Sequence, residues 1–233
     1  MTSKPRSFRR KENDMRYMFV VAHPDDEVLG AGAFLYSISQ SDGEDTACIV
    51  ILNADYEKTR KEMFTDIEKS HEILGITDHA LFSYKNMNFM NENHREMVEC
   101  IEDEIRRYKP DVIFTHFDGD LHNDHRVTSI CTQQAARLYQ RHGAGHKVVA
   151  LYEMEILSST GWSNHSFRPD TYIMASEQSI SKKIQALGVY KNVVRPIPHP
   201  RSEECIRALA IVRGSEIGYH YAEAFKTVWR DGV

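Results

Sequence analysis

Four short apolar runs, separated by helix-like stretches, constrain this chain most strongly. They are Tyr17–Ala22 (YMFVVA), Thr46–Leu52 (TACIVIL), Asp111–Thr115 (DVIFT) and Lys147–Tyr152 (KVVALY). Each is too short for a buried helix and is rich in aromatic and β-branched residues, as expected of strands covered on both faces. Between them lie Val28–Ser39, Lys58–Leu74 (closed by Gly75 as a C-cap), Asn93–Tyr108 (ended by Pro110) and Asp124–Arg141, all with helical composition. His79–Phe82 reads as a further short strand. Repeated strand–helix units predict an α/β domain with a mostly parallel sheet, helices on both faces and right-handed crossovers.

After Tyr152 the pattern changes. Ser158–Pro169 reads as loop, Thr171–Ala175 as one more strand, and Glu177–Tyr190 and Ser202–Arg213 as helices separated by Pro196, Pro198 and Pro200. This is the expected C-terminal elaboration of a single domain spanning 17–233. Residues 1–16 carry six Lys or Arg and no apolar stretch, and are expected to be a frayed basic tail rather than a secretory signal.

The chain has 233 residues, 41% hydrophobic, enough for a core that needs no disulfide or structural metal. Its formal charge of -5 argues against a nucleic-acid binder, and no apolar run is long enough to span a membrane. Cys48, Cys100, Cys131 and Cys205 form no CxxC pair, which suits reduced thiols in the cytoplasm.

Chemistry concentrates in two clusters at expected strand carboxyl ends, where open α/β sheets place their ligands. His23-Pro24-Asp25-Asp26-Glu27 follows the first strand, and Asp118-Gly119-Asp120-Leu121-His122-Asn123-Asp124-His125 follows DVIFT. Imidazoles and carboxylates together are the donors of catalytic zinc, which takes three protein ligands and leaves one position open. A further carboxylate could act as general base and a further donor could stabilise an oxyanion. Taken alone, each cluster could equally be a capped helix start with solvated side chains.

AHPDDEVLGAG (Ala22–Gly32) resembles the signature of the PIG-L/LmbE-like family of zinc-dependent N-acetyl amino-sugar deacetylases, and DGDLHNDH (Asp118–His125) resembles its second motif. HPRSEECIRALAIVRG (His199–Gly214) and YAEAF (Tyr221–Phe225) resemble the C-terminal pattern of bacterial members. The resemblance implies a Rossmann-like domain that removes acetyl from an N-acetylated amino sugar or its conjugate. It implies His23, Asp26 and His125 as ligands of Zn2+ (Fe2+ suits the same donors), Asp25 as general base and His122 as the group that polarises the acetyl carbonyl. Asp124 would orient His122, and Glu27 would support the helix start. Relatives often assemble, so a homo-oligomer is left open. Family members often carry an arginine where this chain has Met63, with an acidic residue at the place of Asp66; Arg60, one turn earlier, is the substitute substrate contact, and Trp162 is an aromatic candidate for packing on a sugar ring.

Two other patterns carry less. Gly30-Ala31-Gly32 hints at a dinucleotide fingerprint but lacks the third glycine, so close helix packing is the better reading. His122–His125 matches part of the metallo-β-lactamase motif, which needs a histidine where Asp120 stands. A phosphoester or β-lactam-type hydrolase, or a non-catalytic sugar- or nucleotide-binding module, are the competing functions. His71, His79, His94, His142 and His146 are expected at the surface.

Overall fold

The computed structural model describes residues 14–41, 45–54, 60–141, 143 and 145–231, without the side chains of residues 60 and 61. The tail expected over 1–16 falls outside them except for its last three residues, and Arg16 opens the first strand. His142 also lies outside the described residues.

The strands are β1 (Arg16–Val21), β2 (Thr46–Ile51), β3 (Asp78–Leu81), β4 (Val112–His116), β5 (Ala150–Met154), β6 (Thr171–Ala175) and β7 (Tyr221–Arg230). They form one seven-stranded sheet in the order β3-β2-β1-β4-β5-β7-β6. The first five run parallel, and β7 runs antiparallel to both β5 and β6. The helices are α1 (Asp26–Gln40), α2 (Arg60–Leu74), α3 (His94–Tyr108), α4 (Asn123–Arg141), α5 (Glu177–Leu187) and α6 (Glu203–Ser215). The α/β sheet with helices on both faces is thus as expected, and the C-terminal elaboration is the antiparallel edge with its two helices.

Alternation along the buried strands assigns the two faces. Met18, Val20 and Ala22 pack with Cys48, Val50 and Leu52 under α3 and α4, against Met97, Ile101, Ile105, Cys131 and Ala135. Phe19 and Val21 pack with Ile49 and Ile51 under α1, α2 and α5, against Leu35, Ile67 and Leu187. The chain proceeds outward from β1 through β2 to β3, then returns to place β4 on the other side of β1. The switch point of the sheet therefore lies between β1 and β4, the crevice where ligands bind in this architecture.

Two strands differ from expectation. The fifth begins at Ala150 rather than Lys147. The strand β7 was not visible in the sequence, because Ala, Glu and Lys in YAEAFK have little β-propensity. Its Glu223 serves α1, which is broken at Ala31 (φ -146°). The Glu223 carboxylate accepts from the freed N–H groups of Ala33 (3.0 Å) and Phe34 (2.8 Å). Lys183 Nζ meets the same carboxylate at 2.6 Å in a buried ion pair. The glycines of α1 serve packing: a Cβ on Gly30 would lie 2.9 Å from Met154 Sδ, and one on Gly32 would lie 2.9 Å from Lys183 Cγ.

Candidate metal centre and catalytic site

The carboxyl ends of β1 and β4 carry the two polar clusters, and the switch point brings them together. His23 stands two residues past the end of β1, Asp26 opens α1, and His125 stands in the first turn of α4. One ligand atom from each of His23, Asp26 and His125 lies within 4.8 Å of the others. Asp26 Oδ2 is 3.2 Å from His23 Nδ1 and 3.3 Å from His125 Nε2. The far nitrogen of each imidazole faces another carboxylate: His23 Nε2 is 3.2 Å from Asp124 Oδ2, and His125 Nδ1 is 3.3 Å from Asp120 Oδ1. A carboxylate behind a histidine fixes its ring and tautomer and raises its basicity, as around metal-ligating histidines.

The charge balance is strained by burial. Burial opposes a proton on His23, yet the carboxylates of Asp124 and Asp26 outweigh it and push its pKa to about 10. His125 is treated likewise by Asp26 and Asp120 and rises to about 9. Despite its own burial, Asp26 is held well below the usual carboxylate range, chiefly by His125. Three buried carboxylates converging on two imidazoles make a pocket that favours positive charge, whether protons or a cation.

His122 and Asp124 form a second grouping with His23, again within 4.8 Å. Both oxygens of Asp124 are already engaged there, accepting from the N–H groups of Met87 (2.7 Å) and Phe89 (3.2 Å). The contact expected between Asp124 and His122 is corrected by the structure. The Asp124 side chain faces His23, while its backbone N–H donates to His122 Nδ1 at 3.2 Å. His122 immediately precedes α4 and receives an N–H of its first turn, so the main chain orients it. Burial, with the charges of His125 and His23, lowers the His122 pKa to about 4.

Asp25 is the most unusual residue of the site. It occupies the N-cap of α1 with φ 95°, a left-handed conformation that costs a non-glycine residue on the order of 1–3 kcal/mol. Its side chain does not cap the helix. It meets Arg201 Nη1 at 2.8 Å instead. Burial, then the neighbouring charge of Asp26, raises its pKa to about 7 against the pull of Arg201. Arg201 is itself fixed by Nε donating to Ser158 Oγ at 2.8 Å.

These groups open into a cavity of about 600 Å3, lined by His23, Asp25, Asp26, His122 and His125 together with Asn53, Asp66, Tyr190 and Arg201. Met63 lines it too. The side chain of Arg60 lies outside the described residues. Trp162, 70% exposed, is not part of the lining, and Tyr190 is the aromatic residue there. Glu27 is fully buried beneath the cavity, where His71 Nε2 (3.3 Å) and Tyr190 Oη (3.4 Å) approach its Oε1. His71 is thus buried rather than at the surface, and its pairing with Glu27 is the reason.

Sequence reasoning missed three functional neighbours. Asp120 accepts from the hydroxyls of Ser159 (3.0 Å) and Thr160 (2.5 Å) and from His122 N–H (2.8 Å) while backing His125. His116, fully buried, stacks on His125 at 4.0 Å and accepts the Ala22 N–H at 2.9 Å. Arg201 sits in the HPRS segment, where only the resemblance drew attention to it.

Several solved structures share this architecture. The conserved protein TT1542 from Thermus thermophilus is similar at TM-score 0.77 and 22% identity, over 94% of this chain and 97% of that one. The N,N'-diacetylchitobiose deacetylase from Pyrococcus horikoshii is similar at TM-score 0.72 and 17% identity, over 93% and 85%. The 4-carboxy-2-hydroxymuconate hydratase GalB from Pseudomonas putida is similar at TM-score 0.73 and 20% identity, over 94% and 98%. At these identities the likeness establishes the fold, which hosts more than one reaction. Residues 18–136, a little over half of the chain and including both polar clusters, match the family model described as PIG-L, GlcNAc-PI de-N-acetylase, and the chain belongs to that family.

Proposed function

We propose that the protein is a metal-dependent hydrolase that removes the acetyl group from the nitrogen of an amino sugar or its conjugate, giving acetate and a free amine. The observation that carries this reading is the convergence of His23, Asp26 and His125 beside the uncapped carboxylate of Asp25. The donor set fits zinc: two imidazoles and one carboxylate, each imidazole backed by a further carboxylate. Iron(II) accepts the same donors. Asp124 and His122 are less suited as ligands, because Asp124 is engaged by two backbone amides and His122 Nδ1 by a third. When bound, the ion would supply Lewis-acid activation of water at neutral pH.

The remaining steps belong to the chain. Asp25 takes the proton of the attacking water and returns it to the leaving amine, for which a pKa near 7 is suited. Arg201 fixes the direction of that carboxylate. In neutral His122 the proton resides on Nε2, because Nδ1 accepts the Asp124 N–H. His122 therefore donates to the acetyl oxygen as negative charge develops there. The amide C–N bond then breaks as the nitrogen gains its proton. Asn53 and Asp66 offer polar contacts suited to sugar hydroxyls.

The reading includes a small-molecule substrate in the cytoplasm rather than nucleic acid, in keeping with the acidic charge balance. Among the described residues no helix is long and apolar enough to cross a membrane. The test is amine and acetate release from N-acetylglucosamine and its glycosides by zinc-loaded protein, alongside hydration of an unsaturated dicarboxylic acid and phosphate release. Equal amounts of amine and acetate, lost on chelation and regained with zinc, are expected. Hydration or phosphate release without any amine would overturn the proposal.

A further inference from the structure

A buried charge at the carboxyl end of β5 is used by none of the steps above. Glu153 lies two residues beyond Leu151, on the strand face that packs under α4, and is 1% exposed. Its Oε1 accepts from the backbone N–H of Asp118 at 3.0 Å, from Ser129 Oγ at 3.2 Å and from Gln133 Nε2 at 3.4 Å. Its Oε2 meets Lys226 Nζ of β7 at 2.9 Å, and Lys226 also reaches Asp118 Oδ1 at 3.3 Å. Asp118 opens the second motif, whereas His125, Ser129 and Gln133 follow one another every fourth residue on one face of α4. One carboxylate oxygen therefore ties down both ends of the loop that carries Asp120 and His122. That loop has little room to adjust: a Cβ on Gly119 would lie 2.7 Å from the Phe117 ring and 2.8 Å from His165 Cβ. A buried ion pair is a poor source of stability, because desolvation of both groups offsets most of their attraction. What the Glu153 carboxylate supplies is a single defined arrangement of strand, loop and helix.

Resting on the deacetylase reading, we propose that Glu153 is a positioning residue for His122. By holding Asp118 and α4 on one oxygen, it sets where the His122 imidazole meets the acetyl oxygen. Lys226 holds the carboxylate in that direction and balances its charge. Glu153 stands outside the cavity lining and acts on the amide bond through His122 alone. The metal end of the loop has separate anchors, because Asp120, which backs His125, is held by the hydroxyls of Ser159 and Thr160.

The test is a double-mutant cycle between Glu153→Ala and His122→Ala in zinc-loaded protein, with methyl N-acetylglucosaminide as substrate and kcat scaled to folded, metal-loaded molecules. Glu153→Ala alone should lower kcat about 10–100-fold, the scale of a misplaced reacting group, with KM within about threefold and zinc content unchanged. Added to His122→Ala, it should lower kcat by no more than about twofold, because the route through His122 is already gone. Glu153→Gln keeps an acceptor for the Asp118 N–H and should regain most of the loss. Should Glu153→Ala fail to fold, the cycle is run with Ser129→Ala and Gln133→Ala together, which release α4 from the same oxygen. Their loss, about threefold or more, should likewise vanish without His122. An unchanged kcat, or the same fold loss with and without His122, overturns the inference while deacetylation by the wild type stands. If the wild type releases no amine, the His122 ring signal in proton–nitrogen NMR spectra decides. A signal displaced by loss of the Glu153 contacts would remove the hydrolase reading and leave the positioning role, whereas an unmoved signal would remove both.

Discussion

The floor and the rim of the cavity are built differently. On the floor, Asp26, His125, His116 and Asp120 are 0–2% exposed, stand at a strand end, in first helical turns or in the loop joining β4 to α4, and are interlocked by short contacts. At the rim, Glu62, Lys191 and Arg195 are exposed on α2 and on the α5–α6 link. Rigid placement with strong desolvation suits bond-breaking chemistry, which tolerates little misplacement. Exposed side chains on helical and linking segments suit discrimination among substrates, where each contact is screened and modest. Substitutions should therefore fall into two groups of very different size.

The largest effect is expected from His125→Ala, which removes a proposed ligand from the buried floor. Metal content measured by emission spectroscopy should fall to background, and kcat/KM by at least about 10^3-fold. Asp25→Asn keeps the shape of the site and removes the proposed proton acceptor, so metal content should persist while kcat falls by about 10^2–10^4-fold in steady-state assays. Near wild-type turnover in this variant would remove the base from the mechanism. Asp120→Asn weakens the support of His125 from behind, and competition with a chelator should show zinc affinity lower by roughly 10–100-fold.

At the rim, Asp66→Asn should change KM within about tenfold and leave kcat and metal content alone. A loss as large as that of Asp25→Asn would erase the distinction between floor and rim. Glu223→Gln probes burial without chemistry, since its carboxylate joins Lys183 to the break in α1. Chemical denaturation should show a loss of about 1–3 kcal/mol with zinc affinity unchanged.

The parallel half of the sheet was legible in the sequence because all of its strands except the short edge strand β3 are apolar runs bounded by Gly, Pro and polar residues. The antiparallel strand β7 was not, because Tyr221–Arg230 earns its place by tertiary contacts: Glu223 capping α1 and small Ala222 and Ala224 packed beneath the helices. At the site, adjacency in sequence exposed His23, Asp25 and Asp26 and the pair His122 and His125. The partners of those groups were hidden for two physical reasons. Arg201 reaches Asp25 across 176 positions, a convergence that spacing cannot reveal. The direction of the Asp124 side chain depends on how the loop carrying Met87 and Phe89 folds over it. Composition alone likewise could not tell that Trp162 lies outside the cavity lining while Tyr190 joins it.

Diffraction from crystals of the zinc-loaded protein at the zinc absorption edge tests the central claim most directly. The account predicts one anomalous peak about 2.0–2.2 Å from a nitrogen of His23, an oxygen of Asp26 and a nitrogen of His125. A peak coordinated instead by His23, His122 and Asp124, or full zinc occupancy in crystals of His125→Ala, would contradict it.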